Sequence, residues 1–150
     1  MAEQDGRPNR AAVMQRLGTA FLTWRRYRQR RIAPYGLTLK QSYLMDRLEK
    51  TAFLYPAQIA EMLFCDRPTA TVVIKNMEKQ DWVERQRDPQ DRRQVRIMIT
   101  GQGRKKLAEM RQSRPASSFD PLSCFCAEEI GELDRLLARL NRHLEEIKNE

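Results

Sequence analysis

The stretch from Asp66 to Thr100 admits few folds, because two different periodicities follow each other within it. Ala70, Val73, Ile74 and Met77 recur at i, i+3, i+4 and i+7, which predicts a helix buried along one side only. Its outer side carries Thr69, Thr71, Val72, Lys75, Asn76 and Lys79, a short, hydroxyl-rich, basic face with almost no carboxylate. Beyond it, Val95, Ile97 and Ile99 alternate with Arg96 and Met98. A partner strand runs from Trp82 to Arg87, across the turn Asp88-Pro89-Gln90-Asp91-Arg92-Arg93. A one-sided helix followed by an arginine-tipped hairpin has the chemistry to meet duplex DNA, phosphates through cations and base edges through short polar side chains.

The elements before this stretch extend the pattern. Arg10 to about Ile32 reads as a long helix with Val13, Leu17, Phe21 and Trp24 on one stripe, stopped by Pro34 and Gly36. Thr38-Leu39-Lys40-Gln41 matches a capping box and opens a second helix to about Lys50, with Leu44 and Leu48 inward. Pro56 opens a third, with Ile59, Met62 and Leu63 buried, and Asp66 caps the fourth ahead of Pro68. Two short helices joined by a turn of three or four residues form a helix-turn-helix.

Charge sharpens the assignment. Residues 1–106 hold 22 Lys and Arg against 11 Asp and Glu, a balance of +11, whereas residues 107–150 hold 6 against 9. The positive charge therefore lies with the groove-sized element, and a polyanionic partner fits because neutralised phosphates release counterions. With 150 residues, a single domain is expected. No run of about 18 apolar residues spans a membrane, and the polar start lacks a secretory core, so the expected location is cytoplasmic.

The remainder is helical, from Gly101 to about Gln112 and again from Ala127, across a break from Ser113 to Pro121. Ile130, Leu133, Leu137, Leu140, Leu144 and Ile147 fall at alternating spacings of three and four, a heptad seam that meets another helix. That helix is either the chain's own first helix or a second subunit; with Val13 and Leu17 on the first helix, a dimer interface is the favoured reading.

Three cysteines and one histidine, His143, build no zinc site and no disulfide framework. No Gly-rich phosphate loop and no nucleophile placed with a His and an acid points to an enzyme, and no cofactor is called for. Glu128-Glu129 and Glu145-Glu146 read as exposed helix charges. An adaptor that uses the heptad seam without DNA stays open.

At this point Asp91-Arg92-Arg93-Gln94-Val95-Arg96-Ile97-Met98-Ile99-Thr100 resembles the wing signature of the MarR (multiple antibiotic resistance regulator) family of bacterial repressors. Pro56 to Ala60, Thr69 to Glu78 and Phe125 to Glu129 are similar to the family's third helix, recognition helix and the start of its last helix. The resemblance implies a mainly α fold with a small β-hairpin wing, a winged helix-turn-helix over 38–100, dimeric through N- and C-terminal helices at 10–34 and 101–150. It implies that Arg67, Thr69, Thr71, Val72, Lys75 and Asn76 meet the major groove. Arg92, Arg93 and Gln94 then belong to the wing contact, and Asp91 structures the wing by an ion pair with Arg93.

The resemblance further implies repression of a pseudo-palindromic operator and release by a small aromatic effector, with Trp24, Tyr27, Arg28, Tyr35 and Tyr43 as a cleft. Some relatives respond instead to thiol oxidation, for which Cys126, ahead of a helix, is the candidate. Three departures stand out: Val72 where a basic residue is common, Asp81 where Gly is usual, and Pro115 and Pro121 in a region commonly helical.

Overall fold

The computed structural model describes residues 9–112 and 120–148, and the chain divides into two compact units, Met1–Arg114 and Pro115–Glu150. The first unit holds helices α1 (Arg10–Ile32), α2 (Leu39–Lys50), α3 (Pro56–Met62), α4 (Arg67–Lys79) and α5 (Gly101–Gln112), with strands β1 (Val83–Arg87) and β2 (Val95–Ile99) between the last two. The second holds α6 (Ala127–Lys148). The part of the predicted break at 113–119, Pro115 included, lies outside the described residues; from Asp120 to Phe125 the chain makes consecutive turns.

Helix boundaries follow from local chemistry. Asn9 caps α1 by accepting from the Ala11 amide at 3.0 Å. Thr38 and Gln41 form the reciprocal box at the head of α2, at 3.3 and 2.9 Å. Asp66 accepts from the Thr69 amide at 2.8 Å. Each satisfies amides that the first helical turn leaves without a partner.

A single core fills the centre of the first unit. Leu44, Met45 and Leu48 of α2, Ile59 of α3, Ala70, Ile74 and Met77 of α4, Ile97 of β2 and Leu107 of α5 are buried in it. Leu44, Leu48, Ile59, Ala70, Ile74 and Met77 are the predicted inner residues, and Met45 and Leu107 join them. The predicted Met62 and Val73 are only half-buried at the core's edge. The stripe orients α4 so that its opposite side meets solvent. Strands β1 and β2 pair antiparallel with Val83 opposite Ile99 and Arg87 opposite Val95. Leu54 adds a bridge to Ile97, its amide and carbonyl exchanging bonds of 3.0 and 2.8 Å with that residue. The chain between α2 and α3 thus becomes a third support of the wing, which no alternation in the sequence signals.

Asp81 resolves the departure from glycine. It adopts φ 55, the left-handed region that Asp tolerates better than most residues. The Thr100 hydroxyl donates to the Asp81 carbonyl and accepts from the Gly103 amide at 3.0 Å, tying the start of β1 to the head of α5. Glycine is required instead at 103, where a Cβ would lie 2.2 Å from the Trp82 carbonyl oxygen and 2.8 Å from Ile99 Cγ1. Gly103→Ala is expected to destabilise the fold by about 1–3 kcal/mol, the cost of overpacking. Urea denaturation followed by circular dichroism measures it.

Candidate nucleic-acid interface

The outer side of α4 is open to solvent along its length. Arg67, Thr69, Thr71, Val72, Lys75, Asn76 and Lys79 are all exposed, while Ala70, Ile74 and Met77 point into the core. The cap links this face to its own helix. Thr69, through its hydroxyl and its amide, holds the Asp66 carboxyl below its ordinary range, with Lys40 adding a smaller pull. The Thr71 hydroxyl donates back to the Arg67 carbonyl at 2.9 Å, which leaves its oxygen lone pairs able to accept. Among the described residues, Arg67, Lys75, Lys79, Arg92 and Arg93 take part in no ion pair, so these cations keep their charge for an external partner.

The wing turn is held by a carboxylate the sequence did not single out. Asp88 is 2% exposed, and five donors converge on it. The Tyr55 hydroxyl donates to its Oδ2, and Arg96 grips both oxygens, Nε to Oδ2 at 2.9 Å and Nη2 to Oδ1 at 3.1 Å. The amides of Gln90 and Asp91 reach Oδ1 at 2.7 and 3.2 Å. The Arg96 guanidinium also lies 4.1 Å over the Phe53 ring, and Phe53 meets Tyr55 edge to face. The Tyr55 hydroxyl first, and the Arg96 guanidinium second, hold the Asp88 carboxyl well below the usual carboxylate range. In return Asp88 pushes the Tyr55 hydroxyl up.

Asp91 does shape the turn, but not as expected. Its carboxylate accepts from the Arg93 backbone amide at 3.0 Å and from the Gln94 side chain at 3.2 Å, with no ion pair to the Arg93 guanidinium. A carboxylate two residues before an arginine is placed to close an Asx-type turn on the backbone, and this frees the Arg93 side chain. Arg92, Arg93 and Gln94 are exposed. The local signal for Asp88 was available in Asp88-Pro89, a turn-opening pair; the reach to Tyr55, 33 positions away, was not.

The other candidate residues are dispersed. Trp24 and Tyr43 are exposed, Tyr27, Arg28 and Tyr35 half-buried. Arg28 lies 5.6 Å from the Trp24 ring, and its Nε is buried without a hydrogen-bond partner. Tyr35 lines a cavity of about 430 Å³ together with Gln41, Asn76, Lys79, Trp82 and Lys106, so the far end of α4 forms one of its walls. In α1, Val13 is exposed and Leu17 half-buried; in α6, Ile130, Leu144 and Ile147 are exposed and Leu133, Leu137 and Leu140 half-buried. Cys126 precedes α6, its amide donating to Glu129 at 2.9 Å.

Comparison with known proteins agrees with this geometry. Residues 37–95 match the model of the MarR family, the span from the head of α2 to the first residue of β2. Over these residues the winged module resembles the MarR family. The HTH-type transcriptional regulator PecS of Dickeya dadantii is 28% identical over 113 residues, covering 73% of this chain and 68% of PecS. YybA of Bacillus subtilis, an uncharacterized HTH-type transcriptional regulator, is 28% identical over 109 residues, 73% of each chain. Among solved structures, AbsC, a MarR-family transcriptional regulator from Streptomyces coelicolor, superposes with a TM-score of 0.82 at 18% identity, covering 97% of this chain and 98% of AbsC. A mutant MarR from E. coli complexed with operator DNA gives a TM-score of 0.77 at 19% identity, over 85% of this chain and 92% of that one. At these identities the two structures speak for the fold, a mainly helical winged helix-turn-helix.

In this winged module the Asp88 clasp gives a pH signature. Its folded carboxyl titrates below the unfolded value of about 3.9, so its contribution is complete above that value and is lost as pH falls through the folded one. Asp88→Asn is expected to melt at a lower temperature at neutral pH. Its melting temperature should also change less than the wild type's on acidification below about pH 4. Thermal melts across pH test both.

Proposed function

We propose that the chain is a DNA-binding transcriptional regulator, a homodimeric repressor of a pseudo-palindromic operator that a small aromatic ligand releases. The observation that carries the reading is the pairing of two surfaces on one rigid module. One is the exposed face of α4, cationic and hydroxyl-rich. The other is a wing whose shape is set by buried Asp88, so that Arg92 and Arg93 stand free. A helix with short polar side chains reads base edges in a major groove, and wing arginines suit the concentrated negative potential of a narrow minor groove. Val72, 57% exposed, offers its methyls to a thymine methyl. The MarR solved with operator DNA shares the fold and supports the same docking.

Two copies are needed to read a pseudo-palindrome, and the terminal helices support a dimer. Phe21 and Leu22 of α1 are 54% and 57% exposed, and Leu144 and Ile147 of α6 are 47% and 53% exposed. Apolar stripes of this extent on two long helices belong to an interface. Ligand release is supported by Trp24 and by Arg28, whose guanidinium lies 5.6 Å from the Trp24 ring; the two offer a ring and a cation to an aromatic acid. Thiol control has weaker support: reactive thiols sit beside cations, whereas Cys126 has Glu128 and Glu129 as neighbours.

Gel-shift titration on the promoter nearest the chain's own gene tests the regulator. Salt-sensitive, sequence-selective binding is expected. Asn76→Ala should cost about 1–3 kcal/mol and relax selectivity at one base pair, while Arg93→Ala should lower affinity and reduce the salt slope by about 1. Unchanged affinity in both variants would contradict the assignment.

A further inference from the structure

Helix α1 is cationic beyond what its own stability requires. It carries seven arginines and no acid, and five of them, Arg25, Arg26, Arg28, Arg30 and Arg31, fall in its C-terminal half. Part of this has an internal account. Arg28 and Arg31 lie over the rings of Trp24 and Tyr27, and Arg30 and Arg31 occupy the last turn, where the helix dipole favours cations. Arg25, Arg26 and Arg30 remain exposed, and none of them meets a carboxylate or a ring among the described residues. Arg26 and Arg30 are four apart on one face, a like-charge spacing that weakens a helix. An external polyanion would offset that repulsion.

The position of this cluster is fixed relative to α4. Gln29, in the same turns, accepts from the Leu39 amide at 3.2 Å and donates to the Leu37 carbonyl at 3.4 Å, which clamps the end of α1 to the head of α2. That head carries Lys40, near enough to act on Asp66 at the start of α4. It also carries Gln41, which shares the cavity wall with Asn76, Lys79 and Lys106. The Gln29 clamp thus holds the arginine-bearing end of α1 against the head of α2, within the same unit as α4.

We propose that Arg25, Arg26 and Arg30 form a second phosphate-contacting surface, which holds duplex DNA flanking the half-site read by α4. This rests on the DNA-binding reading above. Duplex DNA is the occupant because these spread, exposed cations match a phosphate backbone in charge and stand on the same unit as α4. The contact carries no sequence information; it adds affinity and salt dependence, and lengthens the DNA covered.

Equilibrium binding to one mixed-sequence duplex, measured across a salt series, tests it with two triple variants. Arg25→Ala/Arg26→Ala/Arg30→Ala should lower the slope of log affinity against log salt by about 2–3, since each phosphate contact contributes about 0.9. Lys75→Ala/Arg92→Ala/Arg93→Ala should lower it through α4 and the wing. A fall in the second variant alone overturns the α1 surface and leaves the regulator standing, whereas a wild type that binds no duplex overturns both. Binding of the wild type to phosphatidylserine vesicles, lost in the α1 variant while its DNA slope is unchanged, would assign the arginines to a membrane and also overturn the proposal. All three arginines are exposed, so folding of the variant is verified by an unshifted thermal melt.

Discussion

The buried carboxylate of Asp88 is the constraint on which the wing and its junction with the helix-turn-helix depend. A carboxylate withdrawn from water is stable only where charge and hydrogen bonds replace its hydration. Here Tyr55, Arg96 and two turn amides do so. Those donors come from three places: the segment leading into α3, the strand β2, and the wing turn itself. Satisfying one anion therefore fixes the turn's path, the register of β2 against Leu54, and the entry of the chain into the helix-turn-helix. Phe53 closes the assembly by covering the Arg96 guanidinium. The wing is then a rigid extension of the core, and its arginines are displayed by a framework that does not use them.

The same economy of roles recurs at α4. Its buried stripe is anchored by Ala70, Ile74 and Met77, its first amides by Asp66, and its far end by the Glu78–Arg85 pair at 2.8 Å. That pair is a partly exposed contact of modest worth. The outward cations Arg67, Lys75 and Lys79 enter no ion pair among the described residues, which is what a surface for another molecule requires. Arg111 bridges α5 to Asp46 and Glu49 of α2 at 2.6 and 2.7 Å, so these carboxylates are paired within the fold.

Residues acting through local periodicity were legible in the sequence. The stripe of α4, the Thr38–Gln41 box, the Asp66 cap and the two strands of the wing all follow from spacings within one element, where the physics of caps and pleats operates. Residues acting across elements were not. Arg96 alternates with inward Ile97 and so reads as a solvated strand residue, yet it is folded over Phe53 and onto Asp88. The segment around Leu54 carries no alternation of its own, because its bridge to Ile97 borrows the order of β2. Asp91 was recognised as a wing-shaping residue, but sequence spacing alone does not distinguish a side chain that binds the next guanidinium from one that binds the next amide. The run of arginines in α1 is plain in the sequence; the Gln29 clamp that ties its end to the head of α2 is not.

The central claim is that a module held rigid by Asp88 presents α4 to a major groove and Arg92 and Arg93 to an adjacent minor groove, twice along one duplex. Chemical protection of the bound promoter tests this most directly, with guanine N7 methylation reporting the major groove and hydroxyl-radical cleavage the minor groove. Two patches of N7 protection about one helical turn apart, flanked by radical protection that disappears in an Arg92→Ala/Arg93→Ala variant, are the predicted result. A bound duplex whose guanines stay fully reactive, with radical protection unchanged in that variant, would contradict the account.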